Sequence, residues 1–264
     1  MKIILSRKGF DSSSGGQPNP IMPDGTLLSL PIPDEQGNVS LYSIRWNGMS
    51  YFDIISSLNS KFNSGSNDMC HLDPDLREGV KYRLPGWKPA FGQAGSALSH
   101  LRKNSVGVGD LFLFFGWFKK TELVNGTLKY VKGAPEQHII YGYMQVGEII
   151  KSFDNVPNWL KEHPHISDGN NRGDNNAIFL PTEILSFLPN KKGCGLLSFR
   201  DNRVLTKDGM SRGCWALPDC FKNVNITYHP HPWIDDYFKS AGRGQEFVME
   251  ATPEILEWVK QIIQ

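Results

Sequence analysis

The chain has 264 residues, with 28 Lys and Arg set against 27 Asp and Glu for a formal net charge of +1. That length can bury a sizeable core, the charge balance excludes an acidic or basic tail protein, and an apolar content of 39% excludes disorder. A nucleic-acid binder held by bulk charge, whose pI usually exceeds about 9, is excluded as well; 26 Gly, 17 Pro and 11% aromatics point to a loop-rich β or α+β protein.

The N-terminus opens on the short apolar run Ile3–Leu5, read as a buried strand. It falls short of the ~7–15 apolar residues of a signal peptide, and no stretch approaches the ~20 of a membrane span. A cytoplasmic protein without a membrane association is expected. Residues 9–24 are rich in Gly, Ser and Pro and form a long loop, of the kind that is usually functional when it sits inside a compact domain. A strand over 40–45 precedes a helix carrying Tyr51, Ile54, Ile55 and Leu58 at helical spacing. Residues 94–103 read as helix and 106–118 as a strand too apolar to face water on both sides. Asn125-Gly126-Thr127 marks a hairpin turn, followed by a strand over 139–151. A second polar loop spans 163–176, another strand 196–206, and a turn follows at Lys207-Asp208-Gly209. The C-terminal helix has Thr252 as N-cap, Pro253 as its first residue, and Ile255, Leu256, Val259, Ile262 and Ile263 on one face. No repeat or linker interrupts the chain, so one domain over 1–264 is expected.

Several segments carry chemistry. Ser6, Arg7, Lys8 and Asp11 place two cations and a carboxylate at a strand end, with Gly15 and Gly16 able to bring backbone N–H groups close to a ligand; the same residues also suit a salt-bridged turn. His71, Asp73 and Asp75 lie within five residues and fit either acid–base work or a helix-starting turn. Gln93, ahead of the 94–103 helix, fits a base edge, a phosphate or a simple cap. The His-Pro-His pairs at 163–165 and 229–231 suit metal or phosphate contact, or a rigid turn. The four cysteines show no CxxC spacing, and a zinc site from Cys214, Cys220 and His229 or His231 fits no common template. Reduced thiols are expected, with no metal ion and no cofactor.

The strands GDLFLFFGWF and YGYMQVGEI resemble the central strands of PUA-like barrels, a superfamily in which several domains hold a flipped, modified base in an aromatic pocket. That resemblance implies an α+β fold, with a mixed β-sheet or PUA-like β-barrel core, flanking helices and long functional loops. It makes Trp117, Tyr141 and Tyr143 candidate pocket walls, although each also reads as an ordinary core aromatic.

The string SRKGFDSSSGGQPNPIMPDGTLLSLPIP, with HLDPDL, FGQAGSALSHL and GDLFLFFGWF, resembles the nucleotide modification associated domain 3 family over most of the chain. Some members of that family look like anti-phage DNA glycosylases. The resemblance implies a DNA N-glycosylase that flips a hypermodified base, such as glucosylated hydroxymethylcytosine, out of phage DNA and leaves an abasic site. The alternatives are a non-catalytic reader of modified bases and an enzyme of modified-nucleotide biosynthesis. Glycosidic cleavage needs a carboxylate and a base taken out of the stack. Asp11 or Asp73 would serve as the carboxylate, with Lys8 as a lysine nucleophile ranked below direct water attack. Substrate contacts would come from Ser6, Arg7, Gly15, Gly16, His71, Gln93, Trp117, Tyr141, Tyr143, Lys119 and Arg243. The expected partner is DNA containing modified bases, with no obligate protein partner.

Overall fold

Two 14-residue strands built from the most apolar stretches of the chain form the spine of the fold. The structure is a computed structural model, which describes residues 1–62, 68–167, 175–228, 232–242 and 245–264. In chain order the main sheet comprises β1 (Lys2–Arg7), β2 (Asn19–Ile21), β3 (Phe91–Ala94), β4 (Leu111–Val124), β5 (Thr127–Tyr130), β6 (Gln137–Ile150), β7 (Asn176–Pro181), β8 (Cys194–Leu196) and β9 (Glu246–Glu250). The strand order is β9-β1-β4-β6-β7-β3, with β2 and β5 added to β4 and β8 added to β6. β1 runs parallel to β4 and antiparallel to β9, so the sheet is mixed. It curls into a half-barrel, in keeping with the α+β reading.

Four α-helices accompany it among the described residues: α1 (Tyr51–Leu58), α2 (Gly95–Lys103), α3 (Pro164–Ser167) and α4 (Pro253–Ile263). Ser50 caps α1 by accepting from the Asp53 N–H, and Thr252 caps α4 by accepting from Ile255. No helix among the described residues is long and apolar enough to cross a membrane.

Alternation along the strands separates two cores. Ile4, Phe91, Phe112, Phe114, Met144 and Phe179 fill the inside of the curl. Ile3, Leu5, Leu113, Phe115, Trp215 and Phe247 pack on the outer face under α4. A β-bulge between Ile140 and Gly142 breaks the alternation. It sends Tyr141 to the inner core and Tyr143 to the outer one.

The two edge strands of the curled sheet approach each other and are joined by side chains. Gln93 on β3 donates from Nε2 to Glu246 Oε1 on β9 at 2.6 Å, and Lys8 Nζ donates to the same oxygen at 2.9 Å. We call this three-residue bridge the seam.

Several expectations are corrected. Residues 40–45 are mostly turn, because strand pairing there stops at Val39–Ser40 and resumes only in the short hairpin Arg45–Trp46 with Met49–Ser50. The strand expected over 196–206 ends at Leu196 and gives way to isolated bridges at Ser198, Val204 and Thr206 around the 3-10 turn Asp201–Arg203. No α-helix starts at Asp73-Pro74-Asp75, which leads only to the 3-10 turn Glu78–Val80, and Arg83 clamps the Asp75 carboxylate in a bidentate pair with both contacts at 2.6 Å. The polar loop over 163–176 contains the short helix α3, and its residues 168–174 lie outside the described residues.

The Gly/Pro-rich segment after β1 is held from within by one buried side chain. Asn19 Oδ1 accepts from Phe10 N and Leu30 N, while its Nδ2 donates to the carbonyls of Phe10 and Trp117. Gly15, at φ +87°, is the glycine this loop requires: an added Cβ would come within 2.2 Å of the buried Phe10 ring.

Candidate functional site: a basic cleft, a buried seam and a histidine cluster

Because successive side chains of a strand point to opposite faces, the end of β1 sends Arg7 one way and Ser6 and Lys8 the other. Arg7 enters an open cleft of about 820 Å³. Ser12, Glu136, His138, Lys207, Arg212 and Lys239 also line this cleft, giving it four cationic side chains. The Arg212 guanidinium lies 4.0 Å from the centre of the Trp117 ring, a cation–π contact. Trp117 Nε1 in turn donates to Glu136 Oε2 at 3.1 Å. Arg212 Nη1 and Lys119 Nζ approach the same carboxylate at 3.7 and 3.6 Å. Arg212 also donates to Ser12 Oγ, and Arg7 Nη2 to the carbonyl of Gly242. Arg7 Nε is shielded from solvent and has no hydrogen-bond partner among the described residues. Burial lowers the pKa of Arg7, and the neighbouring carboxylate of Asp11 works against that shift.

Asp11 sits beside this cleft, one residue before Ser12. Its Oδ1 accepts from Ser13 N, Ser13 Oγ and Ser14 N, which makes a tight side-chain-capped turn. His138 closes the floor. Trp215 Nε1 donates to its Nδ1 at 3.0 Å. Burial first, and then the charges of Arg7 and Arg212, push its pKa down to about 3.

The seam lies on the inner face. Lys8 stands 4.6 Å over the Phe91 ring, and the side chains of Lys8 and Glu246 are 10% and 0% exposed. Ser6 lies opposite Glu246 in the ladder, and its buried hydroxyl, Glu246 Oε2 and the Tyr141 hydroxyl have no hydrogen-bond partner among the described residues. Burial pushes the Tyr141 pKa up.

A third group gathers at β3. The Gly92 N–H donates to Asp73 Oδ1 at 2.6 Å. His163 Nε2 lies 3.3 Å from that oxygen, poorly aligned for a hydrogen bond, and His165 Nε2 lies 3.9 Å from Oδ2. The His71 ring meets His165 edge-on at 5.1 Å. Burial alone would push the Asp73 carboxyl up, but the surrounding imidazoles of His163, His165 and His71 hold it below the usual carboxylate range. His165 is itself lowered to about 4, by burial first. Its ring packs on Gly92, where a Cβ would come within 2.2 Å of it.

The structure therefore gathers Arg7, Trp117 and Lys119 around the cleft, with Asp11 beside it. It places Ser6, Lys8, Gln93 and Tyr141 on the inner side, and His71 with Asp73 in the histidine cluster. Tyr143 shares a face with neither Tyr141 nor the seam, because the bulge turns it outward. Trp117 is also separated from Tyr141, since it follows Phe115 on the outer face while Phe118 packs on Tyr141. A single aromatic pocket of Trp117, Tyr141 and Tyr143 is thus ruled out by strand parity. Gly15 and Gly16 serve turn geometry, both with positive φ. Gln93 is committed to the seam. Arg243, His229 and His231 lie outside the described residues.

Sequence reasoning missed Glu136, Arg212 and Glu246. Only the Arg-Gly-Cys-Trp stretch at 212–215 carried a local signal for any of them. Cys70, Cys194, Cys214 and Cys220 are all free thiols.

The fold is a curled mixed sheet with a cleft at a strand end lined by four cationic side chains. The sequence profile of nucleotide modification associated domain 3 matches residues 2–250, nearly the whole chain. The chain belongs to that family, and its role is linked to nucleotide modification. No curated protein and no solved structure matches it.

Proposed function

We propose that the protein is a DNA N-glycosylase that excises a hypermodified base, of the glucosylated hydroxymethylcytosine type, from phage DNA. The observation that carries this reading is the cleft: Arg7, Lys207, Arg212 and Lys239 converge on one concavity, and Arg212 is stacked on Trp117 at its wall. Cations at that density neutralise phosphates locally even though the chain carries a net charge of only +1. A guanidinium stacked on an indole offers a flat, charged surface for a base taken out of the stack.

Asp11 is the carboxylate of this reading. Its Oδ1 is committed to the loop, which fixes the side chain, and its charge sits beside Arg7 at the cleft. In the reaction a water oxygen bonds to C1′ of the deoxyribose and the glycosidic C–N bond breaks. The departing base keeps the bonding pair and takes up a proton, while Asp11 accepts the proton from the attacking water and stabilises the positive charge that develops on the sugar. Lys8, turned inward to Glu246, supports water attack over a lysine adduct.

The test is incubation with unmodified, hydroxymethylated and glucosylated duplex DNA, followed by assay for released base and alkali-labile sites. Lability confined to modified DNA, reduced about 100-fold or more in Asp11→Asn, supports the reading. Tight binding that leaves the DNA intact identifies a reader, and a base of altered mass without lability identifies a transferase. Full activity in Asp11→Asn overturns the role given to that carboxylate.

A further inference from the structure

We infer that His71, Asp73 and His165 form a binding site for one divalent first-row transition-metal ion. One donor atom from each of the three residues lies within 4.8 Å of the others. Two donors bound at about 2.1 Å can be at most about 4.2 Å apart, so His165 Nε2 and Asp73 Oδ2, at 3.9 Å, already fit around one ion. The widest pair, up to 4.8 Å apart, closes by about 0.6 Å or more when an ion is bound.

The hydrogen bonds at the site hold two of the three donors in place. Asn176 Nδ2 donates to the carbonyl of His165 at 2.8 Å, which fixes which end of the amide is which. Asn176 Oδ1 therefore faces His165 Nδ1, at 2.7 Å, and Nδ1 must carry the proton. His165 Nε2 is the ring nitrogen left over from that contact, 3.9 Å from Asp73 Oδ2 and beyond hydrogen-bond reach. The same Asn176 contact is what a ligating histidine ordinarily has on its far nitrogen, and the Gly92 N–H on Asp73 Oδ1 orients the carboxylate in the same manner.

A second observation points the same way. His163 is 3% exposed at its side chain, and its Nε2 has no hydrogen-bond partner among the described residues although it stands 3.3 Å from Asp73 Oδ1. Its Nδ1 accepts from the His165 N–H, so Nε2 carries a proton with no aligned acceptor. A water on the ion would supply that acceptor. Two imidazole nitrogens and one carboxylate oxygen suit zinc, iron(II), cobalt(II) or manganese(II). They do not suit calcium, which takes oxygen ligands only, or copper(I), which takes sulfur. Three protein ligands leave coordination positions open to water.

The inference stands apart from the glycosylase reading, and its test uses the metal alone. Protein stripped with a chelator and dialysed is titrated with Zn²⁺ and with Co²⁺ by calorimetry, with visible absorption of the Co²⁺ form as a second readout. One ion per chain is expected. His165→Gln and His71→Asn should each weaken binding about 100-fold or more, and Asn176→Ala about 10–100-fold. His100→Gln, away from the cluster, should bind as the parent does. The melting temperature should rise with Zn²⁺ in the parent and not in the ligand variants. Less than about 0.1 ion per chain, or binding unchanged in His71→Asn, overturns the site. His71 is partly exposed, so that variant keeps the test decisive if the buried His165→Gln fails to fold.

Discussion

Replacing Glu246 by Leu removes the only acidic partner of Lys8 among the described residues while leaving its ammonium inside the sheet curl. The Lys8 side chain is 10% exposed and the Glu246 side chain 0%, so solvent cannot take the place of the lost partner. The Phe91 ring 4.6 Å below Nζ offers about 0.5–2 kcal/mol of cation–π attraction, well short of replacing a buried carboxylate. Breaking a buried pair from one side costs about 3–5 kcal/mol. At this chain length that loss corresponds to a melting temperature lower by roughly 6–20 °C. Gln93 Nε2 loses its 2.6 Å acceptor in the same step. The double variant Lys8→Met/Glu246→Leu removes both charges and fills the space with apolar atoms, and its stability should lie within about 1 kcal/mol of the parent or above it. Urea unfolding of the parent, the two single variants and the double variant, followed by circular dichroism, gives the complete cycle. A loss below about 1 kcal/mol in Glu246→Leu, or single losses that simply add in the double variant, would refute the account of the seam.

Asn19→Ala strips the loop of its internal anchor and leaves the Leu30 N–H and the Trp117 carbonyl unpaired; a loss of about 2–4 kcal/mol is expected from chemical denaturation. His138 stays neutral in the folded protein down to about pH 3, whereas in the unfolded chain it protonates near 6.5. The unfolded state therefore binds the extra proton between those values, so the contribution of His138 to stability is fully present above pH 6.5 and is lost as the pH falls toward 3. Melting temperatures recorded from pH 7.5 to 4 should fall more steeply in the parent than in His138→Gln, and parallel curves would contradict the shift. Arg212→Ala should weaken binding to duplex DNA at all sequences and reduce the slope of log K against log salt by about 1, as read by fluorescence anisotropy at several salt concentrations.

The first strand, α1, the two long strands within 111–150 and the C-terminal helix were legible because their signals are local. Periodicity marked α1 and α4, Asn125-Gly126 marked the hairpin, and Thr252-Pro253 marked the start of the last helix. The site was legible in part. Arg7 and Asp11 could be picked out because charges at a strand end are visible in the sequence, and His71 and Asp73 because they are near neighbours. What joins them to partners was not. Glu246 meets Lys8 across a separation of 238 residues, and nothing near Glu246 distinguishes it from a surface acid. Parity misled at Tyr141 and Tyr143: two residues apart, they read as one face, and the single extra residue of the bulge places them in different cores. Asp11 and Asp73 looked equivalent in sequence, yet one ends a surface turn and the other is enclosed by three imidazoles.

The position of β1 has a consequence for how the protein is made. This first strand is interior to the sheet, held by β4 on one side and by β9 on the other. At the usual pace of synthesis the 238 residues between Lys8 and Glu246 take roughly 10–50 s to emerge. Throughout that interval the nascent chain presents an unpaired edge of a strand with the apolar centre Ile3–Leu5, together with a lysine whose counter-ion has not yet been translated. Long-range closure of this kind is slow, and exposed strand edges recruit other chains. Yield during expression should therefore respond to chaperone supply and to growth temperature more than the stability of the finished protein does, and fragments truncated before residue 246 should be recovered in aggregates.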